Sequence, residues 1–304
     1  MILIIDSGST KMGWILLDGQ KVAEHFVTKG FNPNYADIQF LENLIVDAEK
    51  THLTSSNYHF VASQETISTD ARLDKSSSLQ VEIHSIHYYG TGCGSEQNCQ
   101  LIKGVFQQHF PQAEIAVTHD LMAACHALLG HEKGIACILG TGSNSCVYDG
   151  ENITERAVSL GYLVGDEGSG MHIGREVVKS YFYGFMPDGL KQQFEAAYHP
   201  DLKVFIDKLY HDGQPSRYLA TFAKFAGEHQ NELFIRVLVE RCFDDFIKAF
   251  ILRFGDYKSL KVNFVGSVAY HFRDILKETL ETSKIKVGEI MASPTDGLVR
   301  YYSE

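Results

Sequence analysis

Two short stretches of this 304-residue chain have the composition to hold a polyphosphate. They are Asp6-Ser7-Gly8-Ser9-Thr10, with Lys11 directly after it, and Gly140-Thr141-Gly142-Ser143-Asn144. Small residues at such turns let backbone N–H groups and hydroxyls close on phosphate oxygens with no side chain in the way. Two such loops facing each other could grip one polyphosphate in a cleft. Carboxylates stand at neighbouring turns. Asp6 closes the first apolar run at a turn too small to shield it, which suits a magnesium ion bound through water, and a turn cap is the plainer alternative. Asp120 follows Thr118-His119 at the end of an apolar run and opens a helical one, so it can serve as a proton acceptor or as a helix cap. Asp166 and Glu167 lie side by side among glycines, where carboxylates accept from hydroxyls or cap the next helix. Asp166 suits the first role, and Glu167 reads as structural. Lys11 could touch a phosphate or merely be solvated. His126 and His172 lack metal-ligand spacing and read as structural.

The elements that position these residues are legible as periodicity. Ile2 to Ile5, Trp14 to Leu17 and Val22 to Val27 read as strands, with a hairpin turn at Asp18-Gly19. The order returns about 130 residues on: Ile135 to Leu139, the second glycine-rich turn, Cys146 to Tyr148, and Asp149-Gly150 before Ile153. This self-similarity predicts one β-hairpin module in each of two domains. Between the modules, Ile38 to Lys50 and Glu96 to Phe110 are helical, Phe60 to Ala62, His84 to Tyr89 and Ile115 to Val117 read as strands, and Leu121 to Leu129 forms a helix. Beyond Gly174 the chain is largely helical, around Glu176 to Tyr183, Leu219 to Glu228 and Leu233 to Phe254. A last strand, Lys261 to Val265, enters Gly266-Ser267-Val268, and Ser293 to Gly297 opens a final short helix. The class is α/β with mixed sheets.

A chain of this length suits two domains, each with its own core. The formal net charge of -11 gives no general attraction for nucleic acid or an anionic membrane surface, so an anionic substrate must be held by local donors and a metal ion. The first residues lack the basic region and cleavage site of a signal peptide, and no stretch approaches the ~20 apolar residues of a membrane span. The six cysteines form no CxxC pair, so a reduced, cytoplasmic protein is expected.

Five stations together resemble N-acetylglucosamine kinases and their relatives in the BadF/BadG/BcrA/BcrD ATPase family, within the sugar kinase, Hsp70 and actin superfamily. They are residues 6–10, Thr118-His119-Asp120, residues 140–144, Gly165-Asp166-Glu167-Gly168-Ser169-Gly170 with Ile173-Gly174, and Val265-Gly266-Ser267-Val268. The resemblance implies an actin-like ATPase fold of two ribonuclease H-like domains, mixed sheets flanked by helices, and an active site in the interdomain cleft. The domains would be 1–115 and 116–292, with a helix at about 293–304 packing back onto the first. It implies ATP as co-substrate with Mg2+, an amino sugar as acceptor, and a homodimer, the common state in the group. Ser9, Thr10 and Lys11, with Thr141, Gly142 and Ser143, would bind phosphates, and Gly266 and Ser267 would lie beside the adenosine. Asp120 matches the catalytic aspartate that takes the proton from the sugar 6-hydroxyl. Asn32, Thr91 and Asp166 fall where the family has sugar-facing polar groups.

Two departures bear on the substrate. Human-type relatives have Gly-Trp-Gly where this chain has Ser159-Leu160-Gly161, so by the resemblance these three would join Asp120 in binding the sugar without the aromatic contact, and His119 replaces a frequent Asn. Both leave a kinase expected but loosen the choice of sugar. The same family includes activator ATPases of acyl-CoA dehydratases and reductases, which carry an iron-sulfur cluster on thiolates, but here only Cys93 and Cys99 have even loosely suitable spacing. A non-catalytic sugar or nucleotide sensor is the third reading, and it would need loss of the Asp120 base.

Overall fold

The computed structural model describes residues 1–54, 81–211 and 213–304. The expected strand at Phe60 to Ala62 falls outside them. By contacts the chain divides into two units, Met1–Asp120 with Leu298–Glu304, and Leu121–Gly297.

In the first unit, the strands are β1 (Ile2–Ser7), β2 (Lys11–Asp18), β3 (Lys21–Lys29), β4 (Ser85–Gly90) and β5 (Glu114–His119), ordered β3-β2-β1-β4-β5. β1 pairs antiparallel with β2, Asp6 opposite Gly13, and parallel with β4, Asp6 opposite Tyr89. Leu3, Ile4 and Ile5 are fully buried, as a continuous apolar run in a sheet covered on both faces must be. Helix α1 (Ile38–Thr51) is capped by Asp37, whose carboxylate accepts from the Gln39 amide, and it buries Leu41, Ile45 and Ala48. Helix α2 (Glu96–His109) is capped by Ser95 and buries Ile102 and Phe106. The Trp14 ring stacks on Phe26 at 5.5 Å and its indole N–H donates to Thr28 Oγ1 at 2.9 Å.

The second unit repeats the plan. β6 (Gly134–Leu139), β7 (Ser143–Tyr148), β8 (Ile153–Arg156), β9 (Val262–Val265) and β10 (Val287–Met291) are ordered β10-β9-β6-β7-β8, again an antiparallel hairpin of three strands continued by two parallel ones. Asp149 shapes the β7–β8 turn, its carboxylate accepting from the amides of Glu151 and Asn152 at 2.9 and 2.7 Å. The helices that follow β5 along the chain are α3 (Asp120–Leu129), α4 (Gly170–Phe182), α5 (Asp188–Tyr198), α6 (Leu202–His211), α7 (Pro215–Thr221), α8 (Ala223–Glu228), α9 (Leu233–Phe246), α10 (Ser267–His271), α11 (Arg273–Thr282) and α12 (Thr295–Ser303), of which α12 falls mostly in the first unit. Thus, among the described residues, two mixed five-stranded sheets flanked by helices make up the fold, in keeping with the expected α/β class with mixed sheets.

Three details differ from expectation. The helix read as Leu219 to Glu228 is two, α7 and α8, meeting at Phe222. The helix read to Phe254 leaves α geometry at Ile247 for one π turn to Ile251, and there the Phe250 carbonyl accepts from Ser145 Oγ at 2.7 Å. β10 was not expected, because its half-buried, mixed residues give no period of two.

Candidate active site

In the first unit the expected sugar-facing groups form one connected set. Strand β5 ends at His119 and α3 begins at Asp120, so the Asp120 carboxylate stands where strand becomes helix. Thr91, just past β4, donates its hydroxyl to Asp120 Oδ2 at 2.6 Å and its amide to the Ser7 carbonyl at 2.9 Å. Asn32 Nδ2 donates to Ser9 Oγ at 3.4 Å, joining the loop after β3 to the first glycine-containing turn. That turn is closed by Gly8 N–H donating to the Lys11 carbonyl at 3.0 Å, and Ser9, Thr10 and Lys11 are exposed.

Asp6 differs from its expected setting. It is not on a loop but within β1, half-buried, and its carboxyl is pushed up to about 7. Desolvation is the main cause and the charge of Asp120 the second, with Lys11 pulling weakly the other way. A divalent cation beside Asp6 would offset both raising effects. One or two carboxylates completed by water and phosphate oxygens is the donor set magnesium takes, and no cage of three or more His, Cys, Asp or Glu side chains exists among the described residues. The residues present therefore fit magnesium held mainly by Asp6 and its waters.

In the second unit the glycine-rich turn 140–142 is tied to the start of α4. Gly170 N–H donates to the Gly140 carbonyl at 2.8 Å and Met171 N–H to the Thr141 carbonyl at 3.1 Å. Ser169 caps α4, its hydroxyl accepting from the His172 amide at 3.2 Å. Asp166 takes a left-handed backbone, φ 56°, and its Oδ1 accepts from the Ser143 amide at 3.4 Å. Burial raises its pKa first and Glu167 adds to that, while the Ser143 amide opposes them. Ser143 Oγ is buried and has no hydrogen-bond partner among the described residues. His172 supports the same loop, its Nδ1 accepting from the Gly168 amide at 3.0 Å, so it is structural here. The segment Ser159-Leu160-Gly161 leads into a turn at residues 162–164, with the Gly161 carbonyl accepting from the Gly165 amide at 2.9 Å, and Leu160 is 62% exposed.

A cavity of about 570 Å³ opens beside the glycine-rich turn 140–142. Its walls include Gly140, Thr141, Ala223, Gly227, Ser267 and Phe272. Ser267 was expected near adenosine and lines it, whereas Gly266 sits one residue behind, its backbone against Leu139. Residues of α7 and α8 were not anticipated, because nothing in their local pattern distinguishes a cavity wall from an ordinary helix face. A larger hollow of about 1230 Å³, with Arg175, Lys179, Phe234 and Arg241 among its walls, holds none of the expected site residues.

No family model matches the chain. A solved structure from Porphyromonas gingivalis, provisionally described as an N-acetylglucosamine kinase, is 33% identical over 100% of this chain and 99% of its own, with a TM-score of 0.86. A second one so described, from Chromobacterium violaceum, is 14% identical with a TM-score of 0.70, covering 99% and 98%. A ROK family glucokinase from Streptomyces griseus, solved with glucose and AMPPNP, is 14% identical with a TM-score of 0.56, covering 99% of both. The last two speak for fold alone. The N-acetylmuramic acid/N-acetylglucosamine kinase of Clostridium acetobutylicum is 25% identical over 138 residues, 44% of this chain and 45% of that relative, so the match spans less than half the curated protein's length.

Proposed function

Because this chain belongs to the N-acetylglucosamine kinase-like family of sugar kinases, we propose that it transfers the γ-phosphoryl group of ATP to the 6-hydroxyl of an amino sugar of the N-acetylglucosamine type. The observation that carries this reading is the Asp120 carboxylate at the start of α3, with Oδ2 engaged by Thr91 at 2.6 Å and Asp6 close enough to feel its charge. Among the described residues no helix is long and apolar enough to cross a membrane.

Phosphoryl transfer asks a protein for positioning and charge stabilisation more than for covalent chemistry. With Thr91 occupying Oδ2, the remaining oxygen of Asp120 accepts the proton of the 6-hydroxyl as the hydroxyl oxygen attacks the γ-phosphorus. The bond to the β,γ-bridging oxygen breaks, and ADP departs with the electron pair. Asn32, Thr91 and Asp166 orient the sugar. Ser9, Thr10 and Lys11, and likewise Thr141, Gly142 and Ser143, are assigned to phosphate binding in this reading. The buried Ser143 hydroxyl supports this assignment, since leaving such a group unmatched costs about 1–3 kcal/mol that a phosphate oxygen would recover. The cavity walled by Ser267 is of a size for a nucleoside, within the roughly 300–1,000 Å³ of small-molecule sites. Magnesium, when bound near Asp6, supplies charge neutralisation for the phosphates.

The test is an ADP-release screen over N-acetylglucosamine, glucosamine, N-acetylmannosamine and muramic acid derivatives. Sugar-dependent release is expected for at least one of them, and Asp120→Asn should lower it by about 100-fold or more with little change in ATP binding. Turnover that persists in Asp120→Asn removes that residue as the base.

A further inference from the structure

We infer that Asn98 is a positioning residue: one side-chain amide that locks together the two loops on which the sugar-facing groups of the first unit stand. The inference rests on the kinase reading above and deepens it. Asn98 lies in the first turn of α2, half-buried. Its Nδ2 donates in two directions, to the Gly92 carbonyl at 2.7 Å and to Asn34 Oδ1 at 3.1 Å. Both protons of a single NH2 group are thus spent, each on a different loop.

What lies beyond each acceptor gives the arrangement its consequence. Gly92 directly follows Thr91, whose hydroxyl holds Asp120 Oδ2 at 2.6 Å. On the other side, the Asn34 amide donates to Asn32 Oδ1 at 3.0 Å, and Asn32 Nδ2 donates to Ser9 Oγ at 3.4 Å. The general base and the first phosphate turn are therefore both referred to one atom of α2. Gly92 needs such a restraint, since it sits at φ 82°, where glycine alone is comfortable but is also free to leave. The two loops also touch there, for a Cβ on Gly92 would lie 2.5 Å from Asn32 Oδ1.

The helix itself does not need the Asn98 side chain. Ser95 provides the cap by accepting from the Asn98 backbone amide at 3.3 Å, and Ile102 and Phe106 anchor α2 in the core. Asn98→Asp is the sharpest probe. It keeps the shape, removes both donors and sets a carboxylate against two acceptor oxygens.

The experiment measures kcat, both KM values and melting temperature for Asn98→Asp, Asn98→Ala, Thr91→Val and the Asn98→Ala/Thr91→Val double variant, on the amino sugar that the wild-type chain turns over. Because a displacement of ~1 Å at a positioned group costs about 100-fold, Asn98→Asp should lower kcat/KM for the sugar by at least tenfold while KM for ATP stays within about twofold. If Asn98 acts through Thr91, the double variant should fall well short of the product of the two single effects. Wild-type kinetics in Asn98→Asp, equal losses in both KM values, or strictly multiplicative effects in the double variant would each overturn the inference. A wild-type chain that phosphorylates no amino sugar would instead overturn the kinase reading.

Discussion

The carboxylate of Asp166 accepts the backbone amide of Ser143 at 3.4 Å while Asp166 itself holds a left-handed φ of 56°. The aspartate proposed to face the sugar and the turn proposed to bind phosphate are thereby built as one piece. The two properties can be separated. Aspartate and asparagine tolerate this backbone region, whereas alanine pays about 1–2 kcal/mol in it. Asp166→Asn should therefore melt within a few degrees of wild type, Asp166→Ala should be less stable, and Asp166→Gly should recover the loss. All three should raise KM for the sugar. Thermal melts in parallel with sugar kinetics check this, and equal stability of the Ala and Gly variants would remove the backbone argument.

Asp6 predicts a pH signature. Its folded pKa of about 7 lies above the ordinary aspartate value of 3.8, so the folded state binds its proton more tightly than the unfolded chain does. Stability from this group is then fully present below pH ~4 and is lost as pH rises through ~7, by on the order of 4 kcal/mol as an upper bound. Asp6→Asn carries no such proton. It should be more stable than wild type at pH 8, should lose that advantage at pH 4.5, and should be nearly inactive. Magnesium with nucleotide should stabilise the wild type more at pH 8 than at pH 5.5. Urea midpoints at the two pH values decide the matter, and a variant less stable than wild type at pH 8 contradicts it.

Much of this site was legible because it lies on local signals. The strand-turn-strand order around Asp6 and around Gly142 is written in apolar runs broken by Gly, Ser and Thr, and its repetition predicts a hairpin module in each unit. Asp120 could be placed at a strand end from Ile115 to Val117 alone. Pairings between loops were not legible. Nothing near Thr91 announces that its hydroxyl meets residue 120, and nothing in the first turn of α2 marks Asn98 as more than a surface amide. The buried setting of Asp6 follows from its parallel and antiparallel neighbours in the sheet, and the sequence order of strands does not reveal which pairs form.

The close approach of α4 to α7 is a second place where packing decided a motif residue. A Cβ at Gly174 would run into the Leu219 carbonyl, a backbone atom that cannot turn aside. Gly174→Ala should cost about 1–3 kcal/mol by overpacking, despite the better helix propensity of alanine. Because Ala220 and Ala223 beside Leu219 line the nucleoside-sized cavity, the loss should come with a raised KM for ATP. Denaturation midpoints and ATP kinetics read both effects, and a stabilised variant with unchanged ATP kinetics would show that the helices can separate freely.

Gly227, in α8, offers the converse test, since it lines the same cavity and has room. A Cβ there would meet only Phe272, at an ordinary 3.7 Å. Gly227→Ala should therefore raise stability, by up to about 1 kcal/mol through helix propensity, with little effect on kinetics. Gly227→Leu should keep that gain but push three further carbons into the space proposed for the nucleoside. Its KM for ATP should rise tenfold or more while KM for the sugar holds, because the groups proposed to face the sugar in the first unit are untouched. Isothermal titration with a non-hydrolysable ATP analogue gives the same comparison without turnover. Unchanged nucleotide affinity in a well-folded Gly227→Leu protein would mean that the adenosine lies elsewhere.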